Sequence, residues 1–129
     1  LSQNKQAGAR KKPERVEGTL SCELPKLLLK KNDIHITSKR NFDCFQDTEL
    51  DMLLKRTLNV KNIIICGVNT DTCVYGTTFG ASNRGYNPIV IECCTGSMRG
   101  EDQHQTALKI MSQSIAWVMK KEEILNKLN

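Results

Sequence analysis

The stretch IIICGVNTDTCVYGTTFGASNRGY, residues 63–86, decides the fold. It opens with an apolar, β-branched run that ends at Gly67, and it then carries Cys73 into a segment of small residues. The run does not alternate apolar and polar residues, which is typical of a strand covered on both faces. The small residues over 70–84 predict a helix, which Gly85 closes.

The rest of the chain continues the alternation of strand and helix. Apolar runs predict strands, and apolar residues at three- or four-residue spacing predict helices. The predicted strands are 34–37, 62–67, 88–92 and 116–118, and the other predicted helices are 103–114, 121–128 and one of about ten residues that Thr48 N-caps. This order predicts an α/β domain with a parallel sheet flanked by helices. A sheet of three or four strands is thin, so we expect at least one neighbouring strand to be missing.

Length and charge limit the class of protein. The 129 residues suffice for one domain, and no apolar run approaches the roughly 18 residues of a membrane span. The net charge of +5 comes largely from the ends, and residues 1–17 are expected to be a basic, disordered lead-in. Aromatic residues make up only 5%, and no nucleic-acid motif follows this arm, which argues against nucleic acid as a partner. Binding of nucleic acid by the arm stays an alternative.

Six cysteines are present, and they are not spaced as metal ligands. No CxxC pair occurs, and His35 and His104 lie far from any cysteine in the sequence, so we expect neither a metal nor another cofactor. Cys66, Cys93 and Cys94 end or interrupt apolar runs and are expected to be buried as small hydrophobic residues. Because no secretory signal precedes them, the pattern predicts a reduced, cytoplasmic protein.

Cys73 stands where open parallel sheets place their active sites. Such sites form beyond the carboxyl ends of the strands, where loops run into helices. Thr70 or Asp71 is expected to cap the helix, so that Cys73 falls in its first turn. The free N–H groups of that turn would stabilise a thiolate and hold the oxyanion of a tetrahedral intermediate. On spacing alone, a buried thiol at a helix start is the alternative.

Several segments, in order along the chain, resemble one superfamily. GVNTDTCVYGTTFGASNRGY followed by PIVIECC closely resembles the nucleophile region of the isochorismatase-like cysteine hydrolases, which include nicotinamidase and the carbamoylsarcosine, ureidoacrylate and biuret hydrolases. Other segments of that superfamily are similar to SKRNFDCFQDTEL at 38–50 and to the earlier GT at 18–19 with EL at 23–24. They are also similar to GSMRGEDQH at 96–104 with AWV at 116–118. The resemblance covers about residues 17–128 and implies a three-layer α/β/α hydrolase domain over residues 18–129.

The resemblance implies a Cys–Lys–Asp triad. Cys73 matches the nucleophile, and Lys39 matches the lysine, although taken alone Lys39 would be read as a solvated surface residue. The superfamily carries a cis peptide bond before the nucleophile, which maps to the bond between Val68 and Asn69. The backbone N–H groups of Asn69 and Cys73 would then form the oxyanion hole.

The third member of the triad has no counterpart here. The superfamily's aspartate lies at the end of a first strand near the N-terminus, whereas the segment before Gly18 is basic and contains no Asp. We therefore expect the N-terminal strands and the catalytic Asp to be missing from this chain. Three explanations stay open: a separate chain supplies them, the chain is truncated, or the protein is a family member without catalysis.

The resemblance implies a cysteine-dependent amidohydrolase that cleaves a C–N bond of a small amide, ureide or carbamoyl compound through a thioester. Phe45, Tyr75 and Phe79 are candidates for the wall of the substrate pocket, and each is equally a candidate for plain core. The expected partner chains are further copies in a homo-oligomer or a complementing N-terminal chain. The alternative function is a non-catalytic interaction module that pairs through an exposed strand edge.

Overall fold

The computed structural model of the chain describes residues 19–20, 23 and 25–128. The chain divides into two compact units, residues 1–35 and residues 36–129. In the described part of the first unit, a 3₁₀ turn spans Lys26–Leu28 and the N–H of Lys30 donates to the carboxylate of Asp33 at 2.8 Å. The predicted lead-in, residues 1–17, lies outside the described residues. Within the described ranges, no helix is long and apolar enough to cross a membrane.

The second unit carries the predicted alternation of strands and helices. Its elements are α1 (Leu50–Met52), which continues as a π-helical turn (Leu53–Thr57), β1 (Asn62–Val68), a π-helical turn (Thr70–Val74) that runs into α2 (Tyr75–Asn83), β2 (Asn87–Gly96), α3 (Glu101–Ser114), β3 (Trp117–Met119) and α4 (Lys121–Leu128). The expected N-cap at Thr48 is wrong by one residue, because Glu49 occupies the cap position without a side-chain cap bond, although the Thr48 hydroxyl oxygen accepts the N–H of Leu50 at 3.3 Å. Gly85, with a φ of +81°, follows α2 in the left-handed region that favours glycine.

The three strands form one parallel sheet in the order β1–β2–β3. This confirms the predicted α/β fold with a parallel sheet flanked by helices. The predicted strand at 34–37 is wrong, because these residues pair with none of the three strands and only Ile36 is partly buried. A β-branched sequence favours an extended chain, but a strand also needs a neighbour for its hydrogen bonds.

The core lies between one face of the sheet and helices α2 and α3. Val90 of β2 and Met111 of α3 are fully buried in it, and Ala81 of α2 packs in the same cluster. Ile91, the next residue of β2, points to the opposite face and is buried as well, and α4 contacts β2. The central strand is therefore covered on both faces, as its unbroken apolar sequence predicts.

The edge strand β1 has one open face. Ile65 points to the core and is 7% exposed, whereas Ile64 is 46% exposed and Val68 is 60% exposed. The prediction that this strand is covered on both faces is therefore wrong for the described part of the chain. An unbroken apolar run does not distinguish the central strand of this sheet from its edge strand.

Three cysteines expected to be buried are exposed instead: Cys66, Cys93 and Cys94. The pairing of β1 with β2 shifts register between Ile65 and Gly67. Ile65 lies opposite Val90 and Gly67 lies opposite Thr95, so β1 advances by two residues where β2 advances by five. The extra residues of β2 leave regular pairing at this bulge, which explains why Cys93 and Cys94 escape burial. Although Cys66 is exposed, neighbouring atoms keep some water from its sulfur, and this desolvation raises the pKa of the thiol; the nearby Cys94 and Cys93 raise it further.

The Met111 side chain provides a test of the core. Met111→Ala is expected to lower the free energy of unfolding by about 2 to 5 kcal/mol, because it removes a fully buried side chain and leaves a cavity. Met98→Ala is the matched control, since Met98 is 81% exposed, and its change is expected to stay within about 0.5 kcal/mol. Urea denaturation measures both variants, and equal losses would contradict this assignment of the core.

Candidate active site

Cys73 lies in the first helical turn beyond the carboxyl end of β1, as its sequence predicts. The strand ends at Val68, the peptide bond from Val68 to Asn69 is cis, and the π-helical turn begins at Thr70. Cys73 is partly buried. The N–H groups of its neighbours Thr72 and Val74 both donate to the carbonyl oxygen of Asn69 at 3.1 Å. The chain therefore closes a compact turn around the thiol.

The predicted side-chain cap of this helix is wrong. Asn69 occupies the cap position, and no side chain caps the turn there. Thr70 is fully buried, and its hydroxyl lies 2.7 Å from Nδ1 of the buried His104 on α3. Thr70 and Asp71 therefore fasten the turn to other elements and do not cap the helix.

The segment Ser97–Arg99, which follows β2 and is here named the 97–99 clamp, holds the turn through three hydrogen bonds. The Ser97 hydroxyl donates to Oδ1 of Asp71 at 2.6 Å, and the Arg99 guanidinium donates to Oδ2 at 2.6 Å. The N–H of Met98 donates to Oδ1 of Asn69 at 3.0 Å. Burial acts to raise the pKa of Asp71, but the bonds from Ser97 and Arg99 and the charge of Arg99 leave it below its ordinary value.

Sequence analysis did not identify this clamp. The signal that would have found it is the parallel order of the strands, because the carboxyl ends of two adjacent parallel strands meet at one edge of the sheet. Val68 pairs with Gly96, so the residues just after β1 and those just after β2 become neighbours. Ser97 and Arg99 are the polar residues that follow directly.

The segment that contains Lys39 packs on the helix of Cys73. The N–H of Cys44 donates to Oγ1 of Thr77 at 3.1 Å, and the Thr77 hydroxyl donates to the carbonyl oxygen of Phe42 at 3.3 Å. The main chain of Phe42 lies beside Gly76, where an added Cβ would meet it at 3.4 Å. Lys39 is partly buried and precedes Phe42 by three residues. The fold thus places the main chain of Phe42 beside Gly76, which follows Cys73 by three residues.

Asp43 anchors this segment to α2. Its carboxylate accepts the N–H of Phe45 at 2.8 Å and lies 3.4 Å from the Arg84 guanidinium. It also occupies the space above Gly80, where an added Cβ would come within 2.7 Å of its Cγ. Arg84 in turn lies over the Phe45 ring at 4.9 Å. A side chain at position 80 would therefore displace this carboxylate.

The three aromatic pocket candidates lie in different surroundings. Phe45 is 4% exposed and stacks on Tyr86 with ring centroids 5.6 Å apart, so it belongs to the core. Tyr75 packs partly buried against the core and lines a cavity of about 190 Å³ with Asp71 and residues of α3. Phe79 is 47% exposed on α2. A role in substrate binding stays a prediction for all three.

The part of the chain that the structure describes contains no group of three or more His, Cys, Asp or Glu side chains placed to hold a metal ion. The five described cysteines, Cys44, Cys66, Cys73, Cys93 and Cys94, are all free thiols. Cys22 lies outside the described residues.

Comparison with known proteins identifies the family. The model of the isochorismatase domain matches residues 2–123 of the chain. The chain belongs to the isochorismatase family. Its match begins within the predicted lead-in, whose structure is outside the described residues.

Two curated relatives are isochorismatase family proteins. The chain is 33% identical over 97 residues to YecD of Escherichia coli O157:H7, a match that covers 75% of this chain and 50% of YecD. It is 27% identical over 105 residues to YwoC of Bacillus subtilis, a match that covers 81% of this chain and 54% of YwoC. The chain thus spans about half the length of the curated relatives it matches.

Solved structures agree with the family and the fold. An isochorismatase-like hydrolase from Alkaliphilus metalliredigens superposes with a TM-score of 0.82 at 27% identity, over 89% of this chain and 63% of that one. The nicotinamidase SaPncA from Staphylococcus aureus superposes with a TM-score of 0.59 at 36% identity, over 62% of this chain and 49% of that one.

The contact between Gly80 and Asp43 predicts an unusual result for a helix glycine. Gly80→Ala is expected to lower the free energy of unfolding, although alanine is the better helix former by about 1 kcal/mol. The added methyl group would displace the Asp43 carboxylate from its bonds to Phe45 and Arg84. Thermal or urea unfolding measures the change.

Two further variants make this test specific. Asp43→Ala with Gly80→Ala is expected to lose less stability than the sum of the single changes, by about 1 kcal/mol, because the clash is then absent. Gly76→Ala is the matched control on the same helix. An added Cβ there would lie 3.4 Å from its nearest atoms, so a smaller loss of stability is expected. A Gly80→Ala protein as stable as the native one would contradict the anchoring role of Asp43.

Proposed function

We propose that this chain carries the nucleophile of a cysteine-dependent amidohydrolase, which cleaves a C–N bond of a small amide, ureide or carbamoyl compound through a thioester. The position of Cys73 carries the proposal: the thiol is partly buried in a turn at the carboxyl edge of a parallel sheet. That edge is where open α/β sheets bind ligands. Similar structures named as nicotinamidases support an amide as the substrate class.

In the proposed first step, the Cys73 thiolate attacks the substrate carbonyl carbon, and the carbonyl π electrons move to the oxygen. The backbone N–H groups of Asn69 and Cys73 are proposed to stabilise this oxyanion. The intermediate then expels the amine, which takes up a proton, and water hydrolyses the thioester to the acid and the free thiol.

The proton carrier is proposed to be a carboxylate from outside this chain. Asp71 is the carboxylate nearest to Cys73 along the sequence, but both of its oxygens already accept hydrogen bonds, from Ser97 and Arg99. These bonds hold its pKa low, which makes it a poor proton acceptor. The sequence contains no Asp before Asp33 that could replace the missing one. Lys39 is proposed to keep the site electropositive.

The open face of β1 favours a second candidate function. Ile64 and Val68 are about half exposed on an edge strand, which suits a surface that a partner covers. A non-catalytic module would use this surface in a stable assembly and would hydrolyse no amide.

The proposed activity predicts that Cys73 is the reactive thiol of the native protein. Iodoacetamide is expected to label Cys73 faster than it labels glutathione near neutral pH, as read by peptide mass spectrometry. In the complete protein, with the part that supplies the carboxylate present, ammonia release from nicotinamide or from one of a panel of ureides and carbamoyl amides is expected, and it is expected to fall to background in Cys73→Ala. Cys44→Ala is the matched control, since Cys44 is also partly buried, and it should keep the activity.

Two outcomes separate the candidates. Labelling of Cys73 no faster than glutathione, together with no ammonia from any substrate of the panel, would sink the amidohydrolase proposal. A stable oligomer under those conditions would favour the non-catalytic module. Lys39→Met is expected to slow the labelling of Cys73, because it removes a positive charge that favours the thiolate.

A further inference from the structure

The 97–99 clamp holds two opposite charges against the turn that carries Cys73. The Asp71 side chain is only 9% exposed and stands two residues before Cys73, whereas the Arg99 side chain is 57% exposed and reaches it from outside. The two groups are 2.6 Å apart, and the Ser97 hydroxyl occupies the second carboxylate oxygen. The carboxylate therefore has both an ionic partner and a neutral donor.

A carboxylate at this position has opposite effects on a cysteine nucleophile. Its hydrogen bonds attach the turn to the end of β2 and so fix where the thiol lies. Its negative charge, however, opposes the formation of a second negative charge nearby. A positive group held against the carboxylate removes that opposition without loosening the turn. Arg99 keeps the turn attached, because it donates a hydrogen bond to the Asp71 carboxylate, and it also carries the compensating positive charge.

We propose that Asp71, Ser97 and Arg99 are positioning residues for Cys73, in which Asp71 ties the turn to the 97–99 clamp and Arg99 neutralises the charge that this tie introduces. This inference rests on the proposed function, because it assumes that Cys73 reacts as a thiolate. In this role Asp71, Ser97 and Arg99 belong to the site, although they do not touch the reacting atoms.

Other charged or titratable groups surround the same turn. His104 of α3 is buried behind Thr70, Tyr75 follows on the helix itself, and Lys39 is proposed to approach from the segment that packs on α2. None of these is altered in the variants below. A difference among the variants therefore reports the Asp71–Arg99 pair.

The first measurement is the rate at which iodoacetamide alkylates Cys73 in the native protein, followed by peptide mass spectrometry against pH. Arg99→Gln is expected to slow the reaction roughly threefold to tenfold near pH 7, because the Asp71 charge is then uncompensated. The rate difference between Arg99→Gln and the native protein should narrow in strong base, where thiols in general are ionised. Arg99→Lys should restore most of the rate, since it keeps the charge.

Two more variants complete this measurement. Asp71→Asn with Arg99→Gln removes both charges and is expected to react faster than Arg99→Gln alone, which a purely structural role for Arg99 does not predict. Arg56→Gln is the matched control, because Arg56 is an exposed arginine of the π-helical turn Leu53–Thr57. Its rate should equal that of the native protein.

The second measurement does not depend on thiol chemistry. Hydrogen exchange of the backbone amides in the peptide that spans 69–74 is expected to be faster in Ser97→Ala and Asp71→Asn than in the native protein. Ser112→Ala is the matched control, since the Ser112 hydroxyl donates within its own helix, to the carbonyl oxygen of Lys109 at 2.8 Å. Its exchange at 69–74 should be unchanged.

The outcomes keep the two proposals apart. A native Cys73 that reacts no faster than glutathione, together with no ammonia from any substrate of the panel, removes the proposed function and the charge role of Arg99, while the exchange result still decides whether the clamp holds the turn. A fast native Cys73 with equal rates in Arg99→Gln and Arg56→Gln overturns the charge role and leaves the proposed function intact. Unchanged exchange in Asp71→Asn and Ser97→Ala overturns the positioning role.

Discussion

The candidate site depends on the parallel pairing of β1 with β2. Parallel strands end at the same edge of a sheet, and here Val68 lies opposite Gly96. The residues that follow the two strands therefore meet, which allows the 97–99 clamp to bond Asn69 and Asp71. A different register would separate these groups and remove the three hydrogen bonds from the clamp.

Local signals were enough to predict most of the fold. The apolar run at 63–65, the break at Gly67 and the left-handed Gly85 mark a strand, a turn and a helix end without reference to distant residues. The position of Cys73 followed from the same signals, because a helix that begins soon after a strand must carry the next few residues in its first turn. The helix predicted at 103–114 lies within the longer α3, Glu101–Ser114.

Contacts between distant residues could not be predicted in the same way. The bulge between Ile65 and Gly67 sets which residues of β2 lie beside β1, and no local pattern marks its size. The exposure of Cys93 and Cys94 and the pairing of Arg99 with Asp71 both depend on that register. The run at 34–37 failed as a strand for a related reason, since pairing depends on a neighbour that its own sequence does not specify.

Cys73 is proposed to be a covalent nucleophile, and trapping the thioester tests this most directly. Hydroxylamine attacks thioesters faster than water does, so a native protein that turns over an amide in its presence should form the hydroxamate at the expense of the acid. Cys73→Ala should form neither product. Ammonia release by the native protein without any hydroxamate, or continued release by Cys73→Ala, would contradict a thioester at Cys73.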